Sequence, residues 1–293
     1  MSRSGPVVCL VLILAGLPGP ASAQAADAAA WDSVGHILKA PGILTGDYHR
    51  YNLPRLDLTL RVGDVTVAPA LALGAWVGFG GLPPDAMMMG DLVVTGTELK
   101  SVLAGLARQG IDVTAVHNHL AGETPPITYV HFHAQGDAAR LAARLDSVLA
   151  LTAMPRPVAP AQPRAPTIDT ALVFGMLGRS GRAQGRVAQV GFVLVPEPVT
   201  MHGRPVVPAL GYGTPINIQM VDSTRAVATG DFAILGDALD PVLDGLATHG
   251  ITAAAVHSHL VGEHPTVYYV HFWADGPIRD VLRGLRATLD AAR

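Results

Sequence analysis

Cysteine is almost missing from this chain: the one copy, Cys9, sits inside an apolar N-terminal run. A mature protein without it has no disulfide, and no thiolate to serve as nucleophile or metal ligand. Charge is equally sparse. Only 15% of residues are Asp, Glu, Lys or Arg and the net charge is −3, which excludes the broad basic face that non-specific nucleic-acid binding requires. No apolar run reaches the ~20 residues of a membrane-spanning helix. Several chemical signatures are absent too: there is no Gly-x-Ser-x-Gly elbow, no phosphate loop and no dinucleotide fingerprint after a strand. What remains is ample apolar material, 49% of 293 residues, with 32 Gly and 23 Pro. That suits two domains built from short elements and many turns.

The N-terminus reads as an export signal. Arg3 is followed by the apolar run Pro6–Leu17 and by Ala21-Ser22-Ala23, an Ala-x-Ala cleavage triplet. Residues 1–23 are therefore expected to be a signal peptide, which places the mature protein in the periplasm or outside the cell. No later stretch spans a membrane by this reading. Because Cys9 would leave with the signal, any metal must be held by histidine and carboxylate.

Histidine supplies the clearest pattern. Ala115–Ala134 (AVHNHLAGETPPITYVHFHA) returns as Ala255–Ala274 (AVHSHLVGEHPTVYYVHFWA), identical at 13 of 20 positions, and the two windows hold eight of the twelve histidines. Chance alone gives about one or two identities. The offset of 140 continues outside the windows: Gly90-Asp91 matches Gly230-Asp231, and the apolar helix stripe Leu99, Val102, Leu103, Leu106 matches Leu239, Val242, Leu243, Leu246. The chain is thus an internal duplication. The expected fold is α+β, with two tandem domains related by a pseudo-twofold, each a mixed, mostly antiparallel sheet with two main helices. Residues 24–153 form the first repeat and 169–293 the second. The linker, 154–168, carries five prolines between Met154 and Thr167, a composition that favours an extended, semi-rigid chain.

Within the first repeat, the spacing predicts a short helix over Trp31–Lys39 and strands between Tyr48 and Phe79 and over Gly90–Thr95. A helix follows over Glu98–Arg108, capped by Thr97 and closed by Gly110. The strand Ile111–Leu120 then completes a strand–helix–strand unit with a right-handed crossover, Ile127–Ala134 returns antiparallel, and Asp137 caps a last helix striped by Leu141, Leu145 and Leu149. In the second repeat Pro277 is expected in the first turn of the final helix.

Alternate residues of a strand share a face. His117 and His119 should therefore project together, as should Tyr129, His131 and His133 on the return strand, with Glu123 in the connection. The second repeat offers His257, His259, Glu263 and His271; Trp273 replaces His133, and His264 enters the loop. Imidazoles with a carboxylate suit a divalent transition metal, zinc foremost with copper, iron and nickel as alternatives, rather than calcium or magnesium. Three histidines and a glutamate leave a position open for water, so Glu123 is the candidate base if the site is catalytic, and a metal-dependent hydrolase or oxidoreductase is the alternative to simple metal binding. A third reading makes the histidines structural, in a non-catalytic envelope module that binds an unidentified small molecule. Tyr129 and Tyr269 suit packing equally well. The Met87-Met88-Met89 run reads as core, because consecutive strand residues face opposite ways, and Asp91 and Asp231 read as turn or hydrogen-bonding residues. Whether the hairpins make one site or two is left open.

Pro54-Arg55-Leu56-Asp57, Pro69–Trp76, Met89-Gly90-Asp91-Leu92-Val93 and Val116-His117-Asn118-His119-Leu120 together resemble the LppY/LpqO-type family of exported bacterial proteins, a domain of unknown function. The resemblance covers most of the mature chain and implies export, but brings no activity or ligand. The second half departs from it, with Val195-Pro196-Glu197-Pro198 in place of the Pro-Arg-x-Asp segment and Tyr212-Gly213-Thr214-Pro215 in place of the Trp76 region. If either half has lost function, the second is the one expected to have done so.

Overall fold

The computed structural model describes residues 20–293 apart from 47, 160, 161 and 163, with side chains from Asp27 onward. Arg3, Cys9 and the Pro6–Leu17 run lie outside the described residues. The first half contains α1 (Pro20–Leu38), β1 (Gly42–Thr45), β2 (Tyr48–Pro54), β3 (Leu60–Val62), β4 (Val65–Val67), α2 (Pro69–Ala72), β5 (Gly74–Leu82), β6 (Asp85–Thr95), α3 (Gly96–Arg108), β7 (Asp112–His117), β8 (Glu123–Thr124), β9 (Ile127–Gly136) and α4 (Ala138–Leu149). The second repeats the order with α5 (Thr170–Leu177), β10 (Arg182–Gln184), β11 (Val187–Phe192), β12 (Thr200–Met201), β13 (Arg204–Pro205), α6 (Pro208–Gly211), β14 (Thr214–Met220), β15 (Arg225–Ile234), α7 (Leu239–Thr248), β16 (Thr252–His257), β17 (Glu263–His264), β18 (Tyr268–Pro277) and α8 (Ile278–Ala291). No helix among the described residues is long and apolar enough to cross a membrane.

Each half is a six-stranded sheet, ordered β1-β2-β5-β6-β9-β7 and β10-β11-β14-β15-β18-β16, with a three-stranded arm, β4-β3-β8 and β13-β12-β17. The chain is α+β and duplicated, as the pattern implies, but every ladder in it is antiparallel. The strand–helix–strand unit β6–α3–β7 is split: β9 lies between its two strands and turns what would be a parallel neighbour into two antiparallel ones. Helix α1 is longer than the Trp31–Lys39 pattern suggests and takes in Ala21-Ser22-Ala23. The α3 cap is Thr95 rather than Thr97, because Glu98 Oε2 accepts from Thr95 N at 2.9 Å. Asp137 caps α4 as expected, accepting from Arg140 N, while Pro277 caps α8 from outside its first turn.

Alternation along β6 sorts the three methionines. Met88 joins the core of the first half, whereas Met87 and Met89 belong to a second apolar cluster with Val199, Met201, Leu210 and Tyr212 of the other half. That cluster is the joint between the halves. It forms because each arm lies over the other half's sheet. The first arm docks by polar contacts: Gln219 accepts from Ala68 N (2.7 Å) and donates to Thr66 O (2.8 Å), Asn217 donates to Leu71 O (2.9 Å), and Asp64 pairs with Arg225. The second arm docks by one ion pair, Arg204 with Asp85 at 2.9 Å, and by apolar packing that continues into α6. Leu210 presses so closely on Gly78 that a side-chain carbon there would lie 2.4 Å from it.

Between the halves, the described residues of the proline-rich segment form no helix or strand. Val158 N donates to Lys39 O at 2.8 Å and Thr167 N to Gly185 O at 2.6 Å, so each end is tied to the half it adjoins.

Candidate metal centre

The site begins with a one-residue irregularity. In an antiparallel ladder, directly opposed residues share a face, and a slip of one residue sends every following side chain to the other face. The β7–β9 ladder runs in regular pairs to Val113↔Phe132, then resumes at Ala115↔His131 and His117↔Tyr129. This bulge brings His117 to the face that carries Tyr129 and His131; without it His117 would point to the opposite one. The second half repeats the device between Ala253 and Ala255, placing His257 opposite Tyr269.

Strand β6 supplies a residue that the sequence pattern undervalues. Asp91 is the cross-strand partner of His131, and Asp231 that of His271. The glycine before each aspartate has its own reason. A side-chain carbon at Gly90 would lie 2.4 Å from the Phe132 ring and 2.5 Å from Trp76 O, and at Gly230 2.0 Å from Pro215 O. Asp91 and Asp231 are therefore mid-strand residues facing the joint, not turn residues. The available signal was a carboxylate at matched positions within two otherwise apolar strands.

Six imidazoles meet where the halves face each other. The rings pair across the joint, His117 with His257 at 3.8 Å between centroids, His119 with His271 at 4.0 Å and His131 with His259 at 3.8 Å. Tyr129 stacks on His119 at 3.5 Å and Tyr269 on His259 at 3.7 Å, and each phenol donates at 2.6 Å to a backbone carbonyl of its own half, Ala72 O and Gly211 O. The tyrosines are thus floors beneath the rings, with their hydroxyls engaged elsewhere.

The donor atoms fall into overlapping groups. One nitrogen from each of His117, His257, His259 and His271 lies within 4.8 Å of the others, as do nitrogens of His117, His119 and His131, and the donors of His119, Asp231 and His271. His259 Nε2 and His271 Nε2 are 3.2 Å apart. Two imidazoles on one tetrahedral ion, at metal–nitrogen lengths of ~2.0–2.1 Å, hold their nitrogens about 3.4 Å apart. Asp231 Oδ1 lies 2.6 Å from His271 Nδ1 without a formed hydrogen bond between them. Asp91 stands further off, 3.7 Å from His131 Nε2 and 3.8 Å from His119 Nε2.

Burial, and then repulsion from neighbouring rings, lowers the pKa of His117, His119, His131 and His259 far below the imidazole range and that of His257 to about 4. These rings are neutral near pH 7 and have lone pairs to offer. Burial, and next the charge of Asp231, raises the Asp91 carboxyl well above its usual value. A cation between the two aspartates would remove that penalty.

Not every residue picked from sequence joins the cluster. Glu263 accepts from Ser258 Oγ at 3.3 Å and Val267 N at 3.2 Å, closing its own hairpin. Glu123 pairs through its backbone with Val62 and is absent from the convergent donor groups. It sits on a connection that serves the arm, and the carboxylates nearest the clustered rings are those of Asp91 and Asp231. His133 shares the face of His131 but lies two cross-strand pairs further along, opposite Met89, with its ring 5.7 Å from that of His202. Trp273, its counterpart, packs into the hydrophobic cluster of the first half.

A family model described as Domain of Unknown Function (DUF1259) matches residues 32–151 and again 172–291. No curated protein matches the chain. Among solved structures, a double-ringed trimeric shell protein from the RMM microcompartment is similar at 10% identity over 73% of this chain and 86% of that one, with a TM-score of 0.19; a likeness that low carries no argument.

Proposed function

We propose, from the premise that the chain belongs to the family described as Domain of Unknown Function (DUF1259) and carries it twice, that the protein binds a divalent transition metal at the joint between the copies. One observation carries the reading: buried ring nitrogens converge there without partners. Among the described residues, nine buried side-chain nitrogen or oxygen atoms lack a hydrogen bond, and seven of the nine are Asp91 Oδ1 and nitrogens of His117, His119, His131, His257 and His271. At about 1–3 kcal/mol each, seven unmet groups cost on the order of 10 kcal/mol, as much as a typical domain's whole stability. A bound cation accepts one lone pair from each ring it touches and removes that share of the cost. Purely structural histidines would instead be paired one by one with carbonyls.

An all-nitrogen donor set with carboxylates beside it suits zinc first, and copper, iron or nickel by the same chemistry. The N-terminal leader and the resemblance to LppY/LpqO-type proteins support a site of action outside the cytoplasm. Two surface clefts, each about 720 Å³, are lined by residues around Asp222 and Arg279 and by residues around Trp31 and Tyr51, away from the cluster histidines.

The test is elemental analysis of the purified protein, followed by thermal melting before and after chelation. Bound zinc or a neighbouring transition metal is expected, lost on replacing His117→Ala and His257→Ala together. Re-adding metal at 100-fold over its dissociation constant should restore about 2.7 kcal/mol of stability. Metal content indifferent to the double substitution, with melting unmoved by chelator, would falsify the reading.

A further inference from the structure

The donor inventory exceeds what one ion can use. A tetrahedral ion takes four ligands, and His117, His257, His259 and His271 form a group of four with donor atoms within 4.8 Å of one another. Filling it leaves His119 Nε2, His131 Nε2 and Asp91 Oδ1, all buried and all without a hydrogen-bond partner. Native structures rarely leave so many buried polar atoms unmet in one place. Those leftovers are not scattered. His119 and His131 belong to a second convergent group with His117, and Asp91 has an oxygen 3.7–3.8 Å from a nitrogen of each.

Duplication accounts for the surplus. Each half brings the same four groups: at matching ladder positions a bulge-set histidine, a return-strand histidine and the aspartate opposite it, and two residues past the bulged strand's last histidine a further one, His119 or His259. The twofold relation places the His117 and His257 rings against each other at 3.8 Å, so the two donor sets are adjacent.

We infer that the joint holds two metal ions side by side, one per half, a conclusion that rests on the metal-binding reading above. His117, His119, His131 and Asp91 surround the first ion. His257, His259 and His271 surround the second, with Asp231 behind His271 as the carboxylate that fixes its ring. Six imidazoles and two carboxylates then all have a partner. The proximity of the two bulge-set rings makes the ions neighbours within one centre rather than independent sites in separate domains.

The stoichiometry of the full-length protein decides this without any substitution. Metal-free protein is titrated with cobalt(II) or copper(II), bound metal is counted per chain, and the electron paramagnetic resonance spectrum is recorded at saturation. Two ions per chain with magnetic coupling between them is the expected result. Replacing His259→Gln and His271→Gln should halve the count and abolish the coupling, with circular dichroism confirming the fold. One ion per chain, or two without coupling, overturns the paired centre while leaving metal binding intact. No bound ion overturns both readings.

Discussion

In the first half, Asp91 stands back from two ring nitrogens at 3.7 and 3.8 Å; in the second, Asp231 closes on a single nitrogen at 2.6 Å. The contrast extends outward. The arm of the first half is fastened by Gln219, Asn217 and Arg225, whereas the arm of the second has a single ion pair, Arg204 with Asp85, backed by Leu210 of α6 over Gly78. Arg55 is fully buried between Asp57 and Glu98 and donates to Val93 O, while the matching stretch of the second half has Val195-Pro196-Glu197-Pro198. Divergence has altered how each half is stapled and clasped and has spared the registers that aim the donors. Departure from the family pattern in the second half is thus a change of support, with three imidazoles and a carboxylate still in place.

Five substitutions, at three kinds of position, test that division between support and site. The largest effect is expected at Arg55. Arg55→Met leaves the half-buried Glu98 and the buried Val93 carbonyl without their partner and frees Asp57 at the surface; loss of one partner from a fully buried ion pair typically costs about 3–5 kcal/mol, and this part-buried one should fall at or below the lower end. Denaturant unfolding should show that loss while the metal count of the folded protein stays unchanged; a reduced count would show that the staple also shapes the centre. An intermediate effect is expected at the aspartates. Asp231→Asn removes the carboxylate that orients His271, and such outer partners commonly contribute about 10–100-fold in metal affinity. Asp91→Asn removes a ligand and should lose the first ion outright, a difference that isothermal titration would resolve as a weakened site against a missing one. Equal behaviour of the two variants would erase the distinction drawn from the distances. The smallest effect is expected at the floors. Tyr129→Phe and Tyr269→Phe each delete one hydroxyl donor and keep the stacked ring, so each should cost about 1 kcal/mol, and both by the same amount in urea melts.

Much of this was legible in the residues. The repeat, the helix stripes, the Asp137 cap and the histidine hairpins follow from spacing alone, because each depends on neighbours close in sequence. The bulges at Val113/Ala115 and Ala253/Ala255 are not legible, since simple alternation already puts His117 and His119 on one face and gives no hint of which face it is. Nor is the facing of the two hairpins, which depends on arms reaching across to the other sheet. Asp91 was overlooked for a related reason. A Gly-Asp pair resembles a turn until the ring of Phe132 is seen occupying the space a side chain at residue 90 would need. Glu123 reads as a base from its place in the loop, whereas in the structure that loop adds a strand to the arm.

The crossed arms also bear on what the covalent connection contributes. Each half grips the other through contacts far from residues 154–168: Asp64 with Arg225 on one side, Asp85 with Arg204 on the other. A protease cut within the proline-rich stretch would therefore leave two fragments still clasped as a single particle.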